Sequence, residues 1–176
     1  MLITSLIILI FFMLDQITKY LAQAFTPNHL EVIDNVLTLD LYYNKGMAWG
    51  MLEDNTIVLV VISALASILL GYMCIKNDWK RNKFGSFTIT MTFAGCIGNL
   101  YDRAISVIPA TQDARPGVVD MISFEPLNYI SRLLTGNDFP VFNLADAFLV
   151  VGLILYAVDL LFFADKRKKK YEKTSN

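Results

Sequence analysis

The sequence predicts an all-α integral membrane protein of four transmembrane helices, with a small β-sheet and loop region on the extracytoplasmic side. Three observations predict it. Of 176 residues, 55% are hydrophobic and the mean hydropathy is +0.49, too apolar for a water-soluble domain and too short for several domains. Four stretches, 2–25, 56–75, 84–102 and 140–164, approach the ~20 apolar residues that a bilayer core requires. Val36-Leu37-Thr38-Leu39-Asp40-Leu41-Tyr42 alternates, placing Leu37, Leu39 and Leu41 on one face, which is the period of a half-buried strand. A single membrane-embedded domain over 1–176 follows.

The first helix is interrupted by Asp15, Gln16 and Lys19. Asp15 and Lys19 stand at i and i+4, where they pair along one face. Leu2 to Leu14 followed by Ala22-Gln23-Ala24 has the look of a cleavable signal, but no Lys or Arg precedes the apolar run, so the segment is expected to be retained as a span. In the outer segment 26–55, His29 follows Pro27-Asn28 and reads as an exposed turn residue. Asp34-Asn35 and Asn44-Lys45-Gly46 bracket the strand with turn chemistry, and the candidates to cover its apolar face are lipid, the helix ends and the second outer segment with Val118 and Val119. Met47-Ala48-Trp49-Gly50-Met51 reads as a wedge at the membrane interface, where Trp is favoured.

After the second helix and a short loop, 76–83, the third helix carries Asn99, Asp102 and Arg103 at i, i+3 and i+4. Gly95 and Gly98 would let it approach its neighbours closely. The outer segment 103–139 is broken by Pro109, Pro116-Gly117, Pro126 and Gly136; between the last two, Asn128 to Leu134 is expected to form a short amphipathic helix on the membrane surface. The fourth helix opens with Asn143 and Asp146, again i and i+3, and ends in the basic tail 165–176. As bland readings, Asp15 with Lys19 and Asp102 with Arg103 are structural ion pairs.

Charge placement sets the orientation, because cytoplasmic loops collect Lys and Arg. Lys76, Lys80, Arg81 and Lys83, with Lys166, Arg167, Lys168, Lys169, Lys170 and Lys173, place ten of fifteen cations on one side. Both termini are then expected to be cytoplasmic. A basic run directly after an apolar helix is an orientation signal or anionic-lipid anchor rather than a nucleic-acid patch. Cys74 and Cys96 have neither metal-ligand nor redox spacing, and the single histidine lends no support to a zinc site.

Asp120, closing Val118-Val119-Asp120, and Asp146, closing Phe142-Asn143-Leu144-Ala145-Asp146, lie at apolar–polar borders, where a charged carboxylate is costly and marks a working site. Held close, two carboxylates share a proton. The charged one can then take a proton from water while the protonated one hydrogen-bonds a substrate carbonyl. Ser123 is a conceivable nucleophile, but no His or Lys is evidently placed to activate it. Two other classes use such carboxylates. One is a small ion-coupled transporter, which would commonly show an internal repeat that is not visible here; the other is a magnesium-dependent lipid phosphotransferase holding its metal with Asp102, Asp120 and Asp146.

Taken together, Asp15-Gln16 with Lys19, Tyr43-Asn44-Lys45-Gly46-Met47-Ala48-Trp49-Gly50, Gly98-Asn99-Leu100-Tyr101-Asp102-Arg103, Val118-Val119-Asp120 and Phe142-Asn143-Leu144-Ala145-Asp146 resemble the bacterial lipoprotein signal peptidases, or signal peptidase II. The resemblance covers nearly the whole chain. It implies an aspartyl endopeptidase of the bacterial cell membrane, without cofactor, that cuts prolipoproteins just before a diacylglyceryl-modified cysteine. Membrane lipid and lipid-modified prolipoproteins are the implied partners, nucleic acid is not one, and a monomer is expected. Carried over by motif, Asp120 and Asp146 are the catalytic pair. Asn44, Asn99, Arg103 and Asn143 orient substrate or brace the aspartates, Asp15 supports the fold, and Lys19, Gly46, Asp102 and Ala145 are supporting residues. The stretches 104–115 and 125–138 look longer than the family's usual spacing, and Met47 stands where Ala is more typical.

Overall fold

The structure, a computed structural model, describes residues 2–25, 29–46, 55–108 and 116–175. Helix α1 (Leu2–Phe25) leads into strands β1 (Leu30–Ile33) and β2 (Leu37–Asn44). Helices α2 (Thr56–Lys76) and α3 (Lys83–Ser106) follow, then β3 (Val118–Phe124), α4 (Glu125–Thr135) and α5 (Leu144–Ser175). The fold is a mostly helical membrane fold with one small sheet of strand order β1-β2-β3. The expected interface wedge at 47–51 and most of the long stretch 104–115 lie outside the described residues.

Three helical segments are long and apolar enough to cross a membrane: Leu2–Phe25, Thr56–Lys76 and Leu144–Ala164. Helix α3 is as long as α1 but less apolar, and its place explains why. It packs against α1, α2 and α5, burying 14 of its 24 residues, where α1 buries 4 of 24. Polar side chains that would be costly toward lipid therefore face protein. Its threonines close on their own helix: the Thr88, Thr90 and Thr92 hydroxyls donate to the carbonyls of Gly85, Ser86 and Thr88 at 3.1, 2.6 and 2.9 Å. Close approach to α5 is possible because Gly95 carries no side chain. A Cβ there would stand 2.3 Å from the Ala145 carbonyl oxygen.

Asn82 caps α3 by accepting from the Gly85 N–H at 2.9 Å, and its amide donates to Asp159 at 2.8 Å. Asp159 is buried within the last apolar run, a cost offset by the Arg167 guanidinium, which grips both carboxylate oxygens at 2.6 and 2.7 Å. Helix α5 runs on through this pair to Ser175, so the segment expected as a tail is largely helical.

In the sheet, β2 pairs antiparallel with both neighbours. Its partner β3 contains Val118 and Val119, which join β2 edge to edge through the ladder; the sequence offers their segment only as one possible cover for the apolar face. Strand β1, with its exposed Glu31, was not legible as a strand. The turn before β2 places Asn35 at φ 55°, a left-handed conformation that Asn tolerates. Across the β2–β3 ladder, Tyr42 faces Asp120 and Asn44 faces Val118. The ladder thereby brings a β2 amide beside a β3 carboxylate.

Candidate active site

The start of α5 is built as a capping box. The Asn143 side-chain oxygen accepts the Asp146 N–H at 2.9 Å, while an Asp146 carboxylate oxygen accepts the Asn143 N–H at 3.2 Å. Two orphan donors of the helix end are satisfied reciprocally, and the Asp146 charge sits where the helix dipole favours it. The other Asp146 oxygen accepts from the Asn99 amide of α3 at 2.7 Å.

The Asn143 amide nitrogen also reaches β3, donating to Asp120 at 2.6 Å, and to the Asn99 oxygen at 3.1 Å. Asn143 therefore holds both aspartates, one through its backbone N–H and the other through its side chain. The second Asp120 oxygen accepts from the Asn44 amide at 3.0 Å. Asp120 is only 1% exposed, whereas Asp146 is half-buried. Burial, and then the nearby Asp146 charge, pushes the Asp120 carboxyl up to about 7, against the opposing pull of the Asn44 and Asn143 hydrogen bonds. The two carboxylates thus stand in different environments, one dry and the other open.

Beneath the pair lies a buried cation. Lys19, 0% exposed, meets Asp15 at 2.9 Å and Asp102 at 2.8 Å, and donates to the Asn99 oxygen at 3.2 Å. Asp15 also accepts the Ala145 N–H at 3.0 Å, another orphan donor of α5. Gly98 gives Asp15 room: a Cβ there would lie 2.7 Å from its carboxylate. The expected pair of Asp15 with Lys19 is present. The partner of Asp102 is corrected, because it is Lys19 of a neighbouring helix and not Arg103. Adjacent residues on a helix point in different directions, and Arg103 points the other way, donating to the Ser63 hydroxyl at 3.3 Å and the Gly46 carbonyl at 3.4 Å. Gly46 in turn donates its N–H to the Asn44 side chain at 2.9 Å.

All eleven residues singled out from the sequence, Asp15, Lys19, Asn44, Gly46, Asn99, Asp102, Arg103, Asp120, Asn143, Ala145 and Asp146, therefore lie on one connected polar network. Two members went unassigned in the sequence. Gln16 donates to Asp15 at 3.0 Å and Asp102 at 3.3 Å; its place beside Asp15 was a usable signal. Ser63 sits in an apolar run that offered none. His29 pairs with Asp40 at 2.6 Å on the exposed sheet, and Ser123 accepts from Asn128 at 3.3 Å.

The family model described as signal peptidase (SPase) II matches residues 7–162. Lipoprotein signal peptidases of Staphylococcus aureus strains bovine RF122 / ET3-1 and JH9 are each 32% identical over 170 residues, covering 95% of this chain and 93% of theirs. A solved structure described as a bacterial membrane enzyme at 2.3 Å resolution superimposes with a TM-score of 0.73 at 34% identity, covering 90% of this chain and 87% of that one. A second, at 1.9 Å resolution, gives 0.72 at 33% identity over 92% and 94%.

Proposed function

This chain belongs to the signal peptidase II family, and from that premise we propose that it is an aspartyl endopeptidase that removes signal peptides from prolipoproteins, cutting just before the diacylglyceryl-modified cysteine. The observation that carries this reading is the bridging of Asp120 and Asp146 by the single residue Asn143. Asp120, dry and holding its proton up to about pH 7, polarises the scissile carbonyl. Asp146, open and at the α5 N-terminus, takes a proton from water as the water oxygen attacks the carbonyl carbon. The C–N bond then breaks, the amine leaves with a proton returned from the pair, and no covalent intermediate forms. Asn99 and Asn143 keep the Asp146 oxygens oriented. Among the described residues the buried Arg103 Nε has no hydrogen-bond partner, which suits it to receive a substrate backbone carbonyl.

In this reading α3 is the fourth span, enclosed by the other three. The sheet and the pair stand at the outer face, both termini are cytoplasmic, and the enzyme works as a monomer. The substrate's acyl chains stay in lipid while its peptide lies across the pair. Incubation with a synthetic diacylglyceryl-modified prolipoprotein, with and without a chelator, tests the assignment. Cleavage before the modified cysteine at equal rates in both samples is expected; failure to cut there, or loss of activity on chelation, contradicts it.

A further inference from the structure

Helix α4 is amphipathic in the wrong sense for water. At 100° per residue, Tyr129, Ile130, Leu133 and Leu134 fall on one side, and Asn128, Ser131 and Arg132 on the other. An ordinary surface helix turns its apolar side to the core. Here two residues of the polar side are turned inward, with Asn128 6% and Ser131 7% exposed and Arg132 at the rim, whereas Tyr129, Ile130, Leu133 and Leu134 are 62%, 51%, 69% and 79% exposed.

The polar side is also largely closed on itself. Arg132 holds Glu125 at 2.7 Å and also pairs with Asp138. Asn128 donates to Ser123 at 3.3 Å and to Glu125 at 3.2 Å, and the Thr135 hydroxyl donates to the Ser131 carbonyl at 2.9 Å. Arg132 and Glu125, 46% and 40% exposed, pair with each other on the polar side, and neither lies among the apolar side chains of the outer one. The helix is held near the membrane-crossing bundle, because Ile122, three residues before it, pairs with Phe142, two residues before α5.

We propose that α4 is an interfacial helix whose Tyr129, Ile130, Leu133 and Leu134 are covered by membrane lipid on the side of the site, fixing the height of β3 and so of Asp120 against the bilayer. Lipid suits this face better than a second copy of the chain. Four partly exposed side chains fall short of the ~800 Å² per partner of a stable interface. An amphipathic helix with a locally neutralised polar side and an aromatic residue on its apolar side matches the chemistry of the lipid–water boundary. Lipid as the cover does not depend on the reaction assigned above; only the consequence for Asp120 rests on that reading.

The test uses the full chain in phosphatidylcholine–phosphatidylglycerol vesicles, spin-labelled at Leu134→Cys or, as the aqueous reference, Asn137→Cys. The unsubstituted chain corrects for labelling of the buried Cys74 and Cys96. Collision with oxygen should dominate at 134 and collision with a water-soluble nickel chelate at 137. Equal chelate access at both positions, or dipolar broadening between labels of two copies at 134, overturns the proposal. A second variant, Leu133→Glu with Leu134→Glu, should keep wild-type unfolding and cleavage in detergent and cut several-fold more slowly in vesicles. Equal rates in vesicles, or the same slowing in detergent, would overturn the positioning role while leaving the accessibility result to stand or fall separately.

Discussion

At the scale of single residues, Asp120 and Asp146 differ through their surroundings. Asp120 is enclosed in β3 and its carboxyl is pushed up to about 7, so a reaction that uses its proton loses rate as pH rises through that value. The sign of one perturbation follows directly. Asn44 bonds the charged form and lowers the Asp120 pKa, so Asn44→Ala should move the alkaline fall of kcat/KM to higher pH; an unmoved limb contradicts the assigned proton. Lys19 is a different case, since it holds two buried carboxylates that form no salt bridge with another cation among the described residues. Lys19→Met leaves both uncompensated and should cost about 3–5 kcal/mol of stability, read as a lowered thermal midpoint in detergent. The aspartates were legible in the sequence because charge is expensive beside apolar runs. The Lys19–Asp102 contact was not, because it joins two helices and leaves no trace in spacing.

At the scale of elements, the helices that face lipid announce themselves by hydropathy and the enclosed one does not. Helix α3 is polar because protein surrounds it, so the residues that weaken its hydropathy signal, Asn99 and Asp102, are those that serve the site. Spacing did show its small residues. Gly98→Ala would push a methyl to within 2.7 Å of the Asp15 carboxylate, which is pinned by Lys19 and by the Ala145 N–H. Both thermal stability and cleavage should fall; a fully stable, fully active variant would show that α1 and α3 can separate without disturbing the site. The capping box at Asn143 and Asp146 was visible as an i, i+3 pair, although its reciprocal form emerged only with the backbone. Strand β1 escaped notice because four residues with an exposed Glu31 carry no clear alternation. The pattern of α4 raised the expectation of a helix on the membrane surface, but which of its residues pack against the protein, Asn128 and Ser131, emerged only with the backbone.

At the scale of the whole molecule, the two aspartates belong to parts of the chain with different tasks. Asp120 comes from a sheet that pairs β2 with β3, and Asp146 from the first turn of α5. Asn143 and Asn99 join them, so the site forms only when bundle and sheet are docked together. The reaction proposed for this site is hydrolysis by an aspartate pair, and one measurement tests it most directly. Initial rates of cleavage of a synthetic diacylglyceryl-modified prolipoprotein should be compared for the unsubstituted chain, Asp120→Asn and Asp146→Asn in the same membrane mimic, with folding checked by thermal unfolding. Each substitution should lower the rate by at least about 10²–10⁴-fold, the usual contribution of a positioned acid or base, in a protein that still folds. Near-normal turnover by either folded variant would contradict the assignment of the pair.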